Sequence, residues 1–185
     1  KKIAIKKKFK KKNIDINHDQ IQKDMGLKKI IHLKKILQLK KIKRQWEKKI
    51  KKNVNKSDLE KLANDLDNEL NHIVVKKINF INGFKDAIKF FKKKKIKVGT
   101  TTGYSREILN KILNKTRKMG FYPDAAVCVS DVKRGRPHAD MCLKNLKLLK
   151  ISRPESCIKI DDSISGIKEG LNAGMITIGV VLSGI

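Results

Sequence analysis

The second half of the chain alternates short apolar runs with amphipathic stretches, and this pattern constrains the fold more than any other feature. Three stretches have helical periodicity, namely 106–119, 139–149 and 165–173, and Gly120 and Gly174 stand as stops after the first and the third. Four apolar runs of strand length flank them, at 96–99, 125–129, 157–160 and 176–182. Strands that alternate with helices predict an α/β fold with one parallel sheet, covered by helices on both faces.

The first half has a different texture and predicts a small helical bundle. It contains one glycine and no proline, and apolar side chains such as Ile30, Leu33 and Leu37 recur every three or four positions. Ser57-Asp58-Leu59-Glu60 has the pattern of a capping box. It predicts the start of a helix with an apolar stripe at Leu59, Leu62, Leu66 and Leu70. We therefore divide the chain into a helical domain, 1–77, and an α/β domain, 78–185.

The charge of the chain is extreme, but it is a weak guide to partners. Lys and Arg number 46 against 18 Asp and Glu, which gives a formal net charge of +28. Such an excess suggests nucleic-acid binding, since lysines neutralise phosphates. However, only six of the cations are arginines, the side chain that base recognition prefers. The lysines also accompany abundant Ile and Asn, as an AT-rich coding sequence would produce. We expect no nucleic-acid partner.

Cysteine usage and hydropathy exclude several further classes. Three cysteines in no paired spacing argue against a disulfide scaffold or a zinc site and favour a reducing cytoplasm. No uncharged apolar run of membrane-spanning length occurs, and lysines interrupt the apolar residues near position 1. We expect a cytoplasmic protein without a membrane partner.

Polar residues that could bind an anion follow the first two predicted strands. Thr100-Thr101-Thr102-Gly103-Tyr104-Ser105 follows the first strand, and Ser105 alone would be an ordinary helix cap. Lys133 and Arg136 follow the second strand, where either could pair with a phosphate or form a basic surface loop. Because ligands of open parallel sheets bind at the carboxyl ends of strands, we expect these groups to meet.

Two adjacent acids, Asp161-Asp162, follow the third strand. Neighbouring carboxylates repel unless a cation neutralises them, and oxygen ligands suit Mg²⁺. The alternative is that both acids cap the next helix, where the helix dipole favours negative charge.

The strand-end motifs, in this order, resemble the haloacid dehalogenase superfamily, and within it the phosphonatases (phosphonoacetaldehyde hydrolases), which carry a helical cap. The resemblance rests on four segments: 99–107 from Gly99 to Glu107, Gly135-Arg136-Pro137, 168–175 ending in Ala173-Gly174-Met175, and Met25-Gly26-Leu27-Lys28-Lys29-Ile30-Ile31-His32. The last segment is similar to the phosphonatase cap motif. In a helix, Met25, Lys29 and His32 would lie on one face.

The resemblance implies a function in organic phosphonate degradation: cleavage of the carbon–phosphorus bond of phosphonoacetaldehyde to acetaldehyde and phosphate. Lys29 would form a Schiff base with the aldehyde, His32 would assist proton transfer and Met25 would line the substrate pocket. Thr102, Gly103 and Arg136 would bind the phosphoryl group, and Asp162 would hold Mg²⁺. The resemblance also implies a homodimer formed through the cap.

The chain departs from the family pattern in two places. The family has Gly-Asp with a second Asp four residues later, whereas this chain has Asp161-Asp162 and then Gly166. We expect Asp161 to replace the missing acid. The family nucleophile, an Asp in a loop after the first core strand, has no counterpart before Met25. We expect the chain to begin after that strand, so that the first core strand is absent, and to end before the usual C-terminal helices.

Two alternatives stay open from the sequence. The chain could be a generic Mg²⁺-dependent phosphatase or phosphomutase of the same superfamily. It could also be a non-catalytic basic fragment that binds a polyanion, which would predict a steep salt dependence of binding.

Overall fold

The computed structural model describes residues 2–73 and 78–181. Within these ranges, no helix is both long and apolar enough to cross a membrane. Helices alone occupy the first range, and helices and strands alternate in the second. The predicted boundary between 77 and 78 falls next to residues 74–77, which lie outside the described residues.

The helices of the first range enclose a shared apolar core. Their bounds are α1 Lys2–Lys10, α2 His18–Gln22, α3 Lys29–Gln38, α4 Lys40–Ile50 and α5 Lys56–Ile73. The predicted stripe of α5 is confirmed, since Leu62, Leu66 and Leu70 are buried and Leu59 packs beside them. Trp46 of α4 is buried in the same cluster. Burial of these apolar faces is the main stabilising contribution to this half.

The predicted capping box at Ser57 was wrong by two residues. The amide of Asp58 donates to Asn55 Oδ1 at 2.8 Å, and the amide of Asn55 donates to Asp58 Oδ2 at 3.2 Å. The reciprocal pair that caps α5 is therefore Asn55 and Asp58. Asn is among the strongest N-caps, and its position two residues before Ser57 lets α5 begin at Lys56.

The α/β part follows the predicted order of elements. Its helices are α6 Phe84–Lys93, α7 Arg106–Lys118, α8 Asp140–Leu149 and α9 Ile164–Asn172, and its strands are β1 Gly99–Thr102, β2 Ala125–Cys128, β3 Ile158–Asp161 and β4 Ile176–Gly179. Short 3₁₀ helices, Val129–Asp131 and Pro154–Ser156, follow β2 and precede β3. The first strand lies three residues later than predicted because the β-branched Thr100–Thr102 run pairs with β2. Residue 182, the end of the last predicted strand, lies outside the described residues.

The strands form two parallel pairs, which corrects the expectation of one covered sheet. β1 pairs with β2 and β3 pairs with β4, and among the described residues no backbone ladder joins β1 to β3. One face of the second pair is also open, since four isoleucines of β3 and β4 are about half exposed: Ile158, Ile160, Ile176 and Ile178. The α/β class itself is confirmed.

The turn between α2 and α3 brings the helical part against the strand ends. Met25 O accepts a hydrogen bond of 3.0 Å from Ser165 Oγ at the start of α9. Gly26 has φ +91°, and a side chain there would collide with the hydroxyls of Ser163 and Ser165. Gly26 therefore permits both the left-handed turn and the close contact. On the other side, Ile108 of α7 is buried in the helical cluster.

Candidate active site

A cavity of about 260 Å³ lies where the α2–α3 turn meets the carboxyl ends of β1 and β3. Both parts of the chain line it. From the α/β part come Thr102, Gly103, Tyr104, Arg136, Asp162 and Ser163, and from the helical part come Lys2, Gln22, Met25 and Gly26. The structure thus brings five of the predicted site residues to one cavity: Met25, Thr102, Gly103, Arg136 and Asp162.

The turn after β1 supplies a hydroxyl and a bare backbone. The amide of Tyr104 donates to Thr102 Oγ1 at 3.2 Å, which fixes the turn. A Cβ on Gly103 would lie 3.0 Å from the carbonyl oxygen of Gly26, a tight contact that glycine avoids, so the two backbones can approach closely. Ser105 occupies the N-cap position of α7 but makes no side-chain capping bond. A short hydroxyl and a glycine amide at a helix start can donate hydrogen bonds to an oxyanion.

Arg136 reaches the cavity from the loop between β2 and α8, within a cluster of buried charges. Its side chain is 9% exposed, and its Nη2 donates to Asp161 Oδ2 at 2.8 Å and to Thr101 O at 3.2 Å. Its Nε donates to Glu169 Oε2 at 3.0 Å. The ammonium of Lys159 lies 3.1 Å from Glu169 and 3.4 Å from Asp161. We call these four residues, Arg136, Lys159, Asp161 and Glu169, the buried charge cluster.

Asp161 is held ionised by this cluster. Burial alone would raise its pKa, but the charges of Arg136 and Lys159, together with hydrogen bonds from Ser163, outweigh burial and lower the pKa below the usual 3.8. The amide and hydroxyl of Ser163 donate to Asp161 Oδ1 at 3.0 and 2.8 Å. Ser163 Oγ in turn accepts from the amide of Gly166 at 3.1 Å and caps α9. The alternative that the two acids cap α9 was therefore wrong, since Ser163 does so.

Asp162 lines the cavity beside Tyr104. Burial and the charge of Asp162 together raise the pKa of the Tyr104 phenol, so this tyrosine stays neutral and can donate a hydrogen bond. The oxygen atoms of Asp162 and Ser163 are hard donors that fit Mg²⁺. Asp161 is adjacent, but its carboxylate is paired with Arg136. No cluster of three acidic, histidine or cysteine ligands occurs within 2–73 and 78–181.

The structure places Lys29 and His32 away from the cavity lining. The ammonium of Lys29 pairs with Asp67 of α5, and its side chain is 13% exposed. His32 is fully buried, with Nε2 3.0 Å from the carbonyl oxygen of Ile21. The expectation that Met25 shares their helix was wrong, because the left-handed turn at Gly26 ends before α3 begins at Lys29. The chemical roles of Lys29 and His32 stay predictions.

Sequence reasoning missed several residues of the site. Tyr104 and Gly26 lie inside motifs that the sequence analysis named, since Tyr104 follows Gly103 and Gly26 follows Met25, and this proximity was a usable signal. Thr101 and Glu169 also lie inside the named segments 99–107 and 168–175, whereas Lys159 had no signal, because a buried lysine is indistinguishable in sequence from the many exposed ones. Their proximity is set by the packing of α9 on β3 and the approach of both to β1.

Comparison with known proteins agrees with this geometry. Residues 3–180 match the model of the haloacid dehalogenase-like hydrolase family. A phosphonoacetaldehyde hydrolase of Bacillus cereus is 33% identical over 174 residues, which cover 94% of this chain and 66% of that protein. The phosphonoacetaldehyde hydrolase of Syntrophobacter fumaroxidans is 35% identical, covering 95% of this chain and 64% of that protein.

Solved structures are similar over nearly the whole chain. A phosphonoacetaldehyde hydrolase-like protein from Oleispira antarctica superposes with a TM-score of 0.94 at 32% identity, covering 98% of this chain and 66% of that one. A haloacid dehalogenase-like hydrolase from Bacteroides fragilis, with a TM-score of 0.81 and 18% identity, shares the fold; the match covers 99% of this chain and 80% of that one. The chain spans about two thirds of the length of the curated relatives it matches.

Proposed function

The chain belongs to the haloacid dehalogenase-like hydrolase family, and we propose that within this family its site is that of a phosphonatase, which hydrolyses phosphonoacetaldehyde to acetaldehyde and phosphate. The observation that carries the proposal is the cavity shared by the two parts of the chain. It joins the groups that we expect to bind phosphate, Thr102, Gly103 and Arg136, to Met25 of the α2–α3 turn. Such an enzyme would act in the degradation of organic phosphonates.

The phosphoryl end of the substrate would bind at the strand ends. Thr102 Oγ1 and the Gly103 amide would donate to its oxygens, and the guanidinium of Arg136 would offset its charge. Asp162, with Asp161 beside it, would hold Mg²⁺, which neutralises phosphoryl oxygen charge when bound. Tyr104, a neutral donor at the same edge, can orient a further oxygen.

The aldehyde end would react with Lys29. The neutral amine adds to the carbonyl carbon, and loss of water gives a protonated imine. When the carbon–phosphorus bond breaks, its electron pair moves onto carbon and is taken up by the iminium, which becomes an enamine. The phosphoryl group passes to a carboxylate nucleophile that the described residues do not assign, and water then hydrolyses this acyl phosphate, which releases phosphate and restores the carboxylate. Protonation of the enamine, which His32 would assist, and hydrolysis of the imine then release acetaldehyde and restore Lys29.

Borohydride trapping tests this proposal. With phosphonoacetaldehyde present, reduction of the imine leaves a stable adduct whose position peptide mass spectrometry identifies. We expect the adduct on Lys29, its loss in Lys29→Gln, and its retention in the matched control Lys28→Gln. Wild-type protein that forms no adduct on Lys29 contradicts the phosphonatase assignment.

The placement of Lys29 favours one second candidate, a Mg²⁺-dependent phosphatase or phosphomutase. Lys29 is paired with Asp67 and does not line the cavity, whereas the groups expected to bind a phosphoryl ester do. Such an enzyme would turn over phosphate monoesters without an aldehyde and without a borohydride-sensitive intermediate. Phosphate release from a panel of sugar phosphates, unaffected by Lys29→Gln, would identify it.

A further inference from the structure

We propose that Glu169 is a positioning residue, which holds the guanidinium of Arg136 in the orientation that faces the phosphoryl pocket. The inference rests on the proposed phosphoryl chemistry of the cavity, but not on the Schiff base. Glu169 lies on α9, is fully buried and is not part of the cavity lining. Any effect that it has on a ligand must therefore be transmitted through its neighbours.

A single oxygen of Glu169 accepts hydrogen bonds or ion pairs from two strands and one loop. Oε2 accepts from Thr101 Oγ1 of β1 at 2.9 Å, from Arg136 Nε at 3.0 Å and from Lys159 Nζ of β3 at 3.1 Å. Two of these donors are cations, and charge-assisted hydrogen bonds are the strong ones. Glu169 thus connects the loop that carries Arg136 to one strand of each pair, β1 and β3.

The guanidinium of Arg136 bonds two carboxylates through different nitrogens, and this arrangement sets its orientation toward the cavity. Nε bonds Glu169, and Nη2 bonds Asp161 and Thr101. Within the described part of the chain, Nη1 takes no part in these bonds, so it is the nitrogen left for a phosphoryl oxygen. Arginine beside a single carboxylate prefers the parallel two-bond arrangement. Without Glu169, Arg136 would turn to pair with Asp161 in that way and present a different edge.

Charge and position predict opposite results, which makes the proposal testable. The buried charge cluster contains two cations and two anions and is neutral. If Glu169 served only as a counter-charge, its loss would leave the pocket more positive and bind an anion more tightly. If it positions Arg136, its loss weakens anion binding although the local positive charge rises.

The experiment titrates inorganic phosphate into the full chain by calorimetry. The main variant is Lys159→Met/Glu169→Met, which removes one charge of each sign and keeps the cluster neutral. Replacing a buried ion pair by apolar residues of similar size is usually tolerated, so we expect this variant to fold. We expect phosphate to bind about tenfold more weakly, the loss of one charge-assisted contact. The matched control, Arg153→Met/Glu155→Met, removes an exposed pair of 2.8 Å and should bind phosphate as the wild type does.

Two further variants assign the effect to Arg136. Glu169→Met alone leaves the buried charge cluster with one extra positive charge, and we still expect weaker phosphate binding, because Arg136 is no longer held in position. In an Arg136→Ala background, the double change should alter the phosphate dissociation constant by less than about twofold, because the group that Glu169 positions is gone. Tighter phosphate binding by Glu169→Met, or a full loss in the Arg136→Ala background, contradicts the proposal.

The results that test the phosphonatase assignment differ from those that test the role of Glu169. A wild-type chain that binds phosphate but forms no Lys29 adduct refutes the phosphonatase assignment and still decides the role of Glu169. A wild-type chain that binds no phosphate overturns the role of Glu169 as well. Unchanged or tighter phosphate binding by the double variant overturns that role alone.

Discussion

The carboxylate of Asp161 lies in the space that a side chain at position 166 would occupy, and a Cβ placed on Gly166 would collide with all three atoms of that group. The family pattern that the sequence resembles has glycine at the position of Asp161 and an acid at the position of Gly166. In this chain the acid and the glycine have exchanged places. The geometry gives a physical reason: an acid at 161 in its present orientation requires glycine at 166.

We therefore expect strong coupling between positions 161 and 166. Gly166→Ala should lower the free energy of unfolding by about 1–3 kcal/mol, as overpacking does. In an Asp161→Gly background the same change should be nearly neutral, because the collision is removed. Urea unfolding of the four proteins measures the coupling. Gly179→Ala is the matched control, since a Cβ there contacts nothing within 4 Å. Additive effects at 161 and 166 would show that the two positions do not share this space.

Metal binding gives a second prediction. Asp162→Asn and Asp161→Ala should each weaken Mg²⁺ binding, with the larger loss at Asp162, which lines the cavity while Asp161 is paired with Arg136. Calorimetric titration of Mg²⁺, repeated with Mn²⁺ by electron paramagnetic resonance, measures the affinity without turnover. Asp86→Ala, on the exposed surface of α6, should not change it. Mg²⁺ affinity that is unchanged by Asp161→Ala would refute the idea that Asp161 replaces the missing acid.

The sequence predicts the periodic elements well and the charged interior poorly. The stripe of α5 and the order of strands follow from spacing alone, and the meeting of four residues at one cavity follows from the rule that strand ends meet: Thr102, Gly103, Arg136 and Asp162. The expectation for Met25 came from the resemblance of the cap motif instead. The buried pairing of Glu169 and Lys159 could not be predicted, because burial of a charge depends on a partner far away in the chain. The side-chain direction of Lys29 was unpredictable for the same reason, since its partner is Asp67 of α5.

The pH dependence of stability should reveal the ionised state of Asp161. Because the folded-state pKa of Asp161 lies below the usual 3.8, its ionised form stabilises the fold above the unfolded-state pKa. This contribution is lost as the pH falls through the folded-state pKa. The difference in unfolding free energy between wild type and Asp161→Asn should thus be constant from pH 7 to about pH 5 and shrink below about pH 4. Chemical denaturation at each pH measures it. A difference that stays constant down to pH 3 would contradict the depressed pKa.

The ion pair between Lys29 and Asp67 should stabilise the contact between α3 and α5. Both side chains are partly screened by solvent, at 13% and 28% exposed, so we expect a modest coupling of about 1 kcal/mol rather than that of a fully buried pair. A double-mutant cycle with Lys29→Met and Asp67→Asn, followed by urea unfolding, measures it. The exposed pair Lys56–Glu60, at 3.9 Å on α5, is the control and should couple by less than about 0.5 kcal/mol. Equal coupling in the two pairs would show that Lys29 is no more constrained than a surface lysine.

Breaking the Lys29–Asp67 pair should also affect imine formation, because a lysine released from Asp67 is free to approach an aldehyde. If Lys29 is the Schiff-base lysine, Asp67→Asn should leave borohydride trapping intact or increase it, whereas Lys29→Met abolishes it.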